Sequence, residues 1–366
     1  MPLPKSTTPP PPAAKRRAKQ EPAAVAVSKP RSPRASGRVT LSDLAHALGV
    51  SAMTVSRALR GEPRVQSELA VKIKAMAEQM GYVPDPAARA LASQKSNQIL
   101  VLVPLLSNAL FVDVLEAIHQ ELFTAGYYPV IGITHSDSQQ EELLLRSYLP
   151  MRPAGLLLTG FDHTPTVRRM LEQSTVPCVH MMELARKGEQ ISVGFSQEAA
   201  GAAMTEHLLE RGYRRIAFCA GQLDARVTQR ANGWKRVLKK HKLFTKDLEY
   251  RWPQPTSLAL GAEMLNQVIA QDPSVDAIFF CNDDIAQGAL LEANRRGLKV
   301  PEDMAIVGFN DLSGSDQMVP PLTTIRTPRH DIGKQSASLL LRLLRNETVA
   351  QQQVDVGYEL MVRQSS

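Results

Sequence analysis

Two groups of side chains in this sequence carry chemistry. The first is scattered through residues 107–311 and follows short apolar runs: Ser107, Asn108 and Phe111; Thr159, His163 and Thr164; Glu183; Asp224 and Arg226; Asn282, Asp283 and Asp284; Asn310 and Asp311. Amides, carboxylates and hydroxyls with an Arg, a His and a Phe suit a small polyhydroxylated ligand. Each buried hydroxyl of such a ligand needs a donor or acceptor, and an aromatic face covers its C–H edge. The second group, Ala52, Met53, Thr54, Ser56 and Arg57, sits within one heptad. It suits the reading of base edges, because a guanidinium bonds guanine O6 and N7 together while Ala52 and Met53 offer apolar contact to a thymine methyl. Each group has a plain alternative: solvated turns and helix caps for the first, an ordinary helical hairpin with a solvated Arg57 for the second.

The elements that must position the second group are two short helices. Thr40 or Ser42 caps the first, Leu41, Leu44, Ala45 and Leu48 recur on one face, and Gly49 stops it. Val50 plugs the gap and Ser51 caps the second helix, whose inward positions are Val55 and Leu59. In a helix-turn-helix this second helix enters the major groove. Ser67 is expected to cap a third helix with Leu69, Ile73, Met76 and Met80 on one face, ended by Gly81. Asp85 and Pro86 then open a helical stretch, Ala87 to Ala92, too short to stand alone.

The elements behind the first group are apolar runs alternating with amphipathic stretches, which argues for parallel sheets in α/β layers. The strand candidates are Ile99–Val103, Pro129–Ile133, Gly155–Thr159, Cys178–Met181, Ser192–Gly194, Arg215–Ala220, Ala277–Cys281 and Ala305–Phe309. Ligands of open α/β sheets lie beyond the carboxyl ends of the strands, where the polar residues above stand.

Composition limits the rest. An apolar fraction of 43% over 366 residues supports a large core and more than one domain. Residues 1–38 hold nine basic residues against Glu21, a net of +8, so the remaining chain sums to −1 within the total of +7. This Pro, Ala and Ser-rich stretch reads as a disordered basic tail that attracts phosphates without regard to sequence, or as a solvated leader. It lacks the apolar core of a secretory signal, and no run reaches membrane-spanning length, so the expected location is cytoplasmic. Cys178, Cys219 and Cys281 stand in apolar strand-like runs and read as buried free thiols, with no metal box. Signatures for phosphate cradles, dinucleotides, serine hydrolases and zinc proteases are missing, so the chain reads as a non-enzyme with no cofactor. In Asp283-Asp284 one carboxylate is expected to cap the following helix.

The runs Val39-Thr-Leu-Ser-Asp-Leu-Ala, Gly49-Val-Ser, Thr54-Val-Ser-Arg-Ala-Leu and Gly81-Tyr-Val-Pro-Asp-Pro-Ala-Ala-Arg-Ala-Leu resemble the lactose-repressor family of bacterial transcription regulators. The likeness continues in Glu210-Arg-Gly-Tyr-Arg-Arg-Ile-Ala, Arg230-Ala-Asn-Gly-Trp, Cys281-Asn-Asp-Asp-Ile-Ala-Gln-Gly-Ala, Arg295-Arg-Gly-Leu-Lys-Val-Pro-Glu-Asp-Met-Ala-Ile-Val-Gly-Phe-Asn-Asp and Pro320-Pro-Leu-Thr-Thr-Ile. It covers Val39 to the end of the sequence. The resemblance implies an α/β protein: an all-α helix-turn-helix head, then a two-lobed, periplasmic-binding-protein-like effector domain with parallel sheets and three crossovers. The implied domains are a tail (1–38), a head (39–83), a hinge helix and linker (84–97) and an effector-binding, dimerising body (98–366). Thr40, Ser51 and the reading residues would meet double-stranded operator DNA, with Ala88, Arg89 and Leu91 of the hinge in the minor groove and Leu91 as an apolar wedge.

Within the body the resemblance implies Phe111, Arg230, Asn282 and Asn310 as pocket residues. The stretches Thr159-Gly-Phe-Asp-His-Thr-Pro, Ser192-Val-Gly-Phe and Leu223-Asp-Ala-Arg, with Glu183, are most similar to repressors of gluconate utilisation. A sugar acid needs a cation, which Arg226, Arg230 or His163 could supply, leaving Glu183 and Asn310 for hydroxyls. Many relatives carry Asp where this chain has Asn310, and the exchange removes a negative charge, favouring an anionic ligand. The expected protein is a homodimeric repressor released from its operator by a gluconate-like acid. A keto sugar acid or purine effector, an effector that tightens DNA binding, and a sugar-binding or sugar-modifying protein are the alternatives.

Overall fold

The structure is a computed structural model that describes residues 39–83, 96–107, 109–185 and 190–366. The chain divides into two compact units, Met1–Pro84 and Asp85–Ser366.

The first unit holds three helices, α1 (Leu41–Leu48), α2 (Ala52–Leu59) and α3 (Ser67–Gln79). Thr40 caps α1 reciprocally: its Oγ1 accepts from the Asp43 amide at 3.3 Å while Asp43 Oδ2 accepts from the Thr40 amide at 2.8 Å. Gly49 ends the helix at φ +64°, a left-handed conformation that glycine adopts without a Cβ penalty. Leu44, Ala45, Val55, Ala58, Ile73 and Ala77 form a buried core, with Val50, Leu69, Met76 and Met80 packed on it. Val55 and Leu59 face inward as expected, Val55 fully buried and Leu59 part-buried against the core, with Ala58 buried beside them. One expectation is corrected here. Ser67 does not cap α3; Gln66 holds that position without a side-chain bond, and Ser67 is the first helical residue.

The second unit has two lobes. In the first, strands β1 (Gln98–Val103), β2 (Tyr128–Ile133), β3 (Gly155–Thr159), β4 (Cys178–Met182), β5 (Ser192–Gly194) and β11 (Gln353–Asp355) form a parallel sheet in the order β11-β5-β4-β3-β1-β2. Helices α4 (Ala109–Thr124), α5 (Ser138–Tyr148), α6 (Pro165–Gln173) and α11 (Arg329–Leu344) cover it. In the second, β6 (Ile216–Gly221), β7 (Glu249–Trp252), β8 (Ala277–Phe280) and β9 (Ala305–Val307) run parallel in the order β7-β6-β8-β9. Its helices are α7 (Gln197–Glu210), α8 (Ala225–Lys240), α9 (Leu258–Gln271) and α10 (Asp283–Arg296). A small antiparallel pair, β10 (Thr324–Arg326) with β12 (Glu359–Met361), completes it.

The apolar runs form strands because both sheet faces are covered: β6 and β8 are buried at every residue and β1 at all but its first. All eight expected strands form. Those not foreseen are β7, β10, β11 and β12, of three or four residues each. The chain passes between lobes three times: from β5 to α7, from β10 to α11, which packs on α4, and from β11, paired with β5, to β12, paired with β10. Cys178, Cys219 and Cys281 are free thiols, the last two fully buried. Among the described residues no helix is long and apolar enough to cross a membrane.

Candidate functional site

In the head, Ser51 Oγ accepts from the Thr54 amide at 3.1 Å and lies 2.9 Å from Thr54 Oγ1. That bond sets the start of α2 and uses Ser51 and Thr54 as a cap. Ala52 and Met53 are exposed, Met53 to 61%, and so are free of the head's own core. Ser56 and Arg57 are part-exposed on the same helix. Arg57 Nε lies 3.6 Å from Glu62 Oε2, a loose pair between part-exposed groups. Ala88, Arg89 and Leu91 lie outside the described residues, as does Asn108.

In the body the carboxyl ends of the strands converge on a cleft with two adjoining compartments. Phe111, Arg226, Arg230 and Asn282 line one, with Leu105, Gln222 and Asp224. Thr159, Glu183 and Arg226 line the other, with Thr134, Ser136, Glu141 and Phe161. Gln222 and Ser136 come from opposite lobes and hydrogen-bond at 2.9 Å.

The cleft's cations come from α8. Asp224 caps that helix, its Oδ1 accepting from the Val227 amide at 2.9 Å, while its Oδ2 accepts from Arg226 Nη2 at 2.6 Å. Burial pushes the Asp224 carboxyl up, but the Arg226 charge and the amide bond outweigh it and hold it below its usual value. Arg226 lies 5.7 Å from the Phe111 ring. One turn on, Arg230 is 2% exposed and stacks 3.7 Å above the Phe309 ring. Its Nε donates to Gln197 Oε1 at 2.9 Å, and its Nη1 to the Cys281 carbonyl at 2.6 Å and to Asn282 Oδ1 at 3.0 Å. Burial lowers its pKa to about 10. Glu183 accepts from Gln229 Nε2 at 2.6 Å, and burial raises its carboxyl above the usual range. Thr159 Oγ1 donates to the Leu102 carbonyl at 2.9 Å.

Three expected residues are placed differently. Ser107 is exposed and lines neither compartment. Both ring nitrogens of His163 are occupied, Nδ1 by Glu141 Oε2 at 2.8 Å and Nε2 by His180 Nε2 at 3.1 Å, so its polar atoms serve a buried network beside the cleft. Asn310, 1% exposed, stands one layer behind Asn282: its Nδ2 donates to Asn282 Oδ1 at 2.9 Å and its Oδ1 accepts from Thr327 Oγ1 at 3.1 Å. Neither of the two neighbouring aspartates caps α10, contrary to expectation: Asn282 holds the N-cap position without a side-chain bond, and both aspartates lie in the first helical turn with different partners. Asp284 accepts from the Ile285 amide at 3.0 Å, while buried Asp283 accepts from the Leu312 amide and the Ser315 and Thr324 hydroxyls at 2.6–3.0 Å.

The model of bacterial regulatory proteins of the lacI family matches residues 40–85, and that of the periplasmic binding protein-like domain matches residues 205–366. The HTH-type transcriptional regulator GntR of Pseudomonas aeruginosa is 51% identical over 336 residues, 92% of this chain and 98% of that relative. The chain belongs to the lacI family of bacterial regulatory proteins. It is thus a helix-turn-helix transcriptional regulator of the repressor type. The crystal structure of transcription regulator GntR from Chromobacterium violaceum is 47% identical with a TM-score of 0.72, covering 74% of this chain and 99% of that one. A lac repressor dimer bound to operator and the anti-inducer ONPF has a TM-score of 0.77 at 26% identity, covering 90% of this chain and 99% of that one.

For this lacI-family chain, sequence reasoning missed Gln229, Gln197, Glu141 and His180. Gln229 was within reach, since it stands one turn from Arg226 on the same helix and shares its face. Gln197, Glu141 and His180 carry no local signal, because their partners lie 17 to 33 residues away.

Proposed function

We propose that this protein is a homodimeric repressor whose operator affinity falls when the cleft takes up a small sugar acid, gluconate or a close relative. The observation that carries the reading is the Arg226 and Arg230 pair beside Asn282 and Glu183 at the strand ends. Arg226 commits Nη2 to Asp224, and among the described residues its Nε and Nη1 have no protein acceptor, so it retains N–H donors for a carboxylate. Glu183, which burial holds toward its neutral form, and the Asn282 amide are suited to hydroxyls. The likeness to two transcription regulators named GntR supports the regulatory half of this reading. Homodimerisation is favoured by Phe123, Tyr128 and Ile131, which are 57, 48 and 44% exposed around the β2 edge of the first lobe. A two-fold dimer reads inverted half-sites with Arg57 toward the bases. Effector uptake shifts the lobes, and the 84–97 segment carries the shift to the head, a coupling of roughly 1–3 kcal/mol in typical allostery.

One observation favours a second reading. Asp137, Glu141, Asp162, Glu183 and Asp224 line the compartments against two arginines, a balance that also accommodates a neutral polyol. Calorimetric titration with gluconate, 2-ketogluconate, gluconate 6-phosphate, glucose and hypoxanthine, followed by operator binding with each ligand present, separates the two. Sugar-acid binding that weakens operator affinity supports the proposal. Response to glucose or hypoxanthine alone, or to none, overturns the effector assignment.

A further inference from the structure

Asn310 and Asp311, which follow β9, have φ of +108° and +51°. Two consecutive non-glycine residues in this region are strained and persist only where their surroundings hold them. The strain has a function here: the turn buries the Asn310 amide so that it donates to Asn282, which in turn accepts from Arg230 in the cleft.

Most of the groups that hold the turn belong to its own lobe, but one comes from the other. Arg329 opens α11, which packs on α4 in the first lobe. Its Nη1 donates to the carbonyls of both Asn310 and Asp311, each at 3.1 Å. Its Nε meets Asp113 Oδ2 of α4 at 2.8 Å, two residues beyond Phe111, the aromatic wall of the cleft. Thr327, just before this crossover, donates to Asn310 Oδ1. Arg326 and Arg363 hold the Asp311 carboxylate at 2.8 and 2.7 Å, but both belong to the second lobe's own strand pair and the stretch after it. Arg329 is the described guanidinium that ties the turn to α4.

We propose that Arg329 is a positioning residue: anchored to Asp113 in the first lobe, it clamps the Asn310–Asp311 carbonyls in the second, so that the Asn282–Asn310 amide pair answers to the relative position of the lobes. Asp113 sets the guanidinium, the guanidinium sets the strained turn, and the turn sets the amides. The link to an effector rests on the cleft being the ligand site; the clamp itself does not.

Amide hydrogen exchange of the full-length, ligand-free protein tests the clamp directly, because the amides of Asn310, Asp311 and Leu312 all bond to protein acceptors. In Arg329→Ala the 308–313 segment should exchange about tenfold faster than in wild type, and in Asp113→Asn severalfold faster, with the sheet strands unchanged. Asp113 is exposed, so its substitution leaves the fold intact even if Arg329→Ala loosens the whole domain. Exchange of 308–313 within twofold of wild type in Asp113→Asn overturns the cross-lobe clamp. A second measurement, the change in operator affinity on adding gluconate, should shrink severalfold in Asp113→Asn. A wild type that ignores gluconate would sink the effector reading, while the exchange result still decides the clamp.

Discussion

Replacing Arg226 by Met separates what the cleft cation does for folding from what it does for ligand. The side chains of Arg226 and Asp224 are 8 and 15% exposed and bond at 2.6 Å. Methionine keeps the apolar stem near the Phe111 ring but leaves the Asp224 carboxylate buried without its cation. Breaking a buried pair from one side costs roughly 3–5 kcal/mol, and the remaining solvent access and the Val227 amide bond place this case near the lower end, about 3 kcal/mol. The double variant Asp224→Asn with Arg226→Met removes the orphan charge and keeps an acceptor for Val227, since asparagine is as good a cap as aspartate. It should recover most of the loss. Ligand binding should behave differently: one charge-assisted bond is worth about 1.5–3 kcal/mol, so both variants should bind gluconate at least about tenfold more weakly. The pH response gives a further check. Asp224 titrates below its ordinary value of 3.8, so its contribution is present above that value and fades as the pH falls through the lower native one. Arg226→Met should shrink this acid-side loss. Urea titration at neutral and acid pH, with calorimetry, measures all three quantities. A double variant no more stable than the single one would refute the orphan-charge argument, and unweakened gluconate binding would refute Arg226 as the carboxylate partner.

Arg57→Ala should leave head stability within about 0.5 kcal/mol and relax discrimination at one base pair by about 1–3 kcal/mol, measured by anisotropy on an operator series; equal losses on every operator would show a phosphate contact instead. Gly233→Ala should lower the urea midpoint by an amount equivalent to about 1–3 kcal/mol or more, because a Cβ there would lie 2.1 Å from the Glu198 carbonyl oxygen and push α7 from α8; an unchanged midpoint would mean the helices part freely. His180 should remain neutral at pH 5 in a long-range proton–nitrogen spectrum, since burial, with the neighbouring His163, lowers its pKa to about 3. The unfolded chain takes up that proton near 6.5 and the folded chain does not, so stability lent by His180 is whole above 6.5 and falls as the pH drops toward 3; a charged ring at pH 5 would contradict this.

The head was legible in the sequence because everything that makes it is local. Thr40, Gly49 and Ser51 act within three or four residues of their partners, and the i, i+3, i+4, i+7 recurrence of Leu41, Leu44, Ala45 and Leu48 is the core face itself. The eight apolar strands were legible for a related reason: most are buried runs of apolar residues that announce themselves by composition, even where, as in β5 and β9, they are only three residues long. The strands β7, β10, β11 and β12 were not, since three or four mixed residues form a strand only when a partner from another part of the chain supplies the hydrogen bonds. At the cleft, residue type and strand-end position pointed to Phe111, Thr159, Glu183, Arg226 and Asn282, because a parallel sheet delivers the ends of its strands to one edge, while Arg230, a turn further along its helix, was pointed to only by the family resemblance. Whether a polar atom there is free to meet a ligand is decided by contacts that sequence spacing does not contain. His163 is a cation candidate by type, yet Glu141 and His180 take both its nitrogens. Asn310 is a hydroxyl partner by position, yet a turn at φ +108°, held by Arg329 from the other lobe, puts it behind Asn282. Residue type along the sequence marked many of the groups that arrive at the cleft; tertiary packing, within each lobe for His163 and across the lobes for the turn at Asn310, decided which of them remain available, because a buried polar group takes whatever partner lies within hydrogen-bond reach.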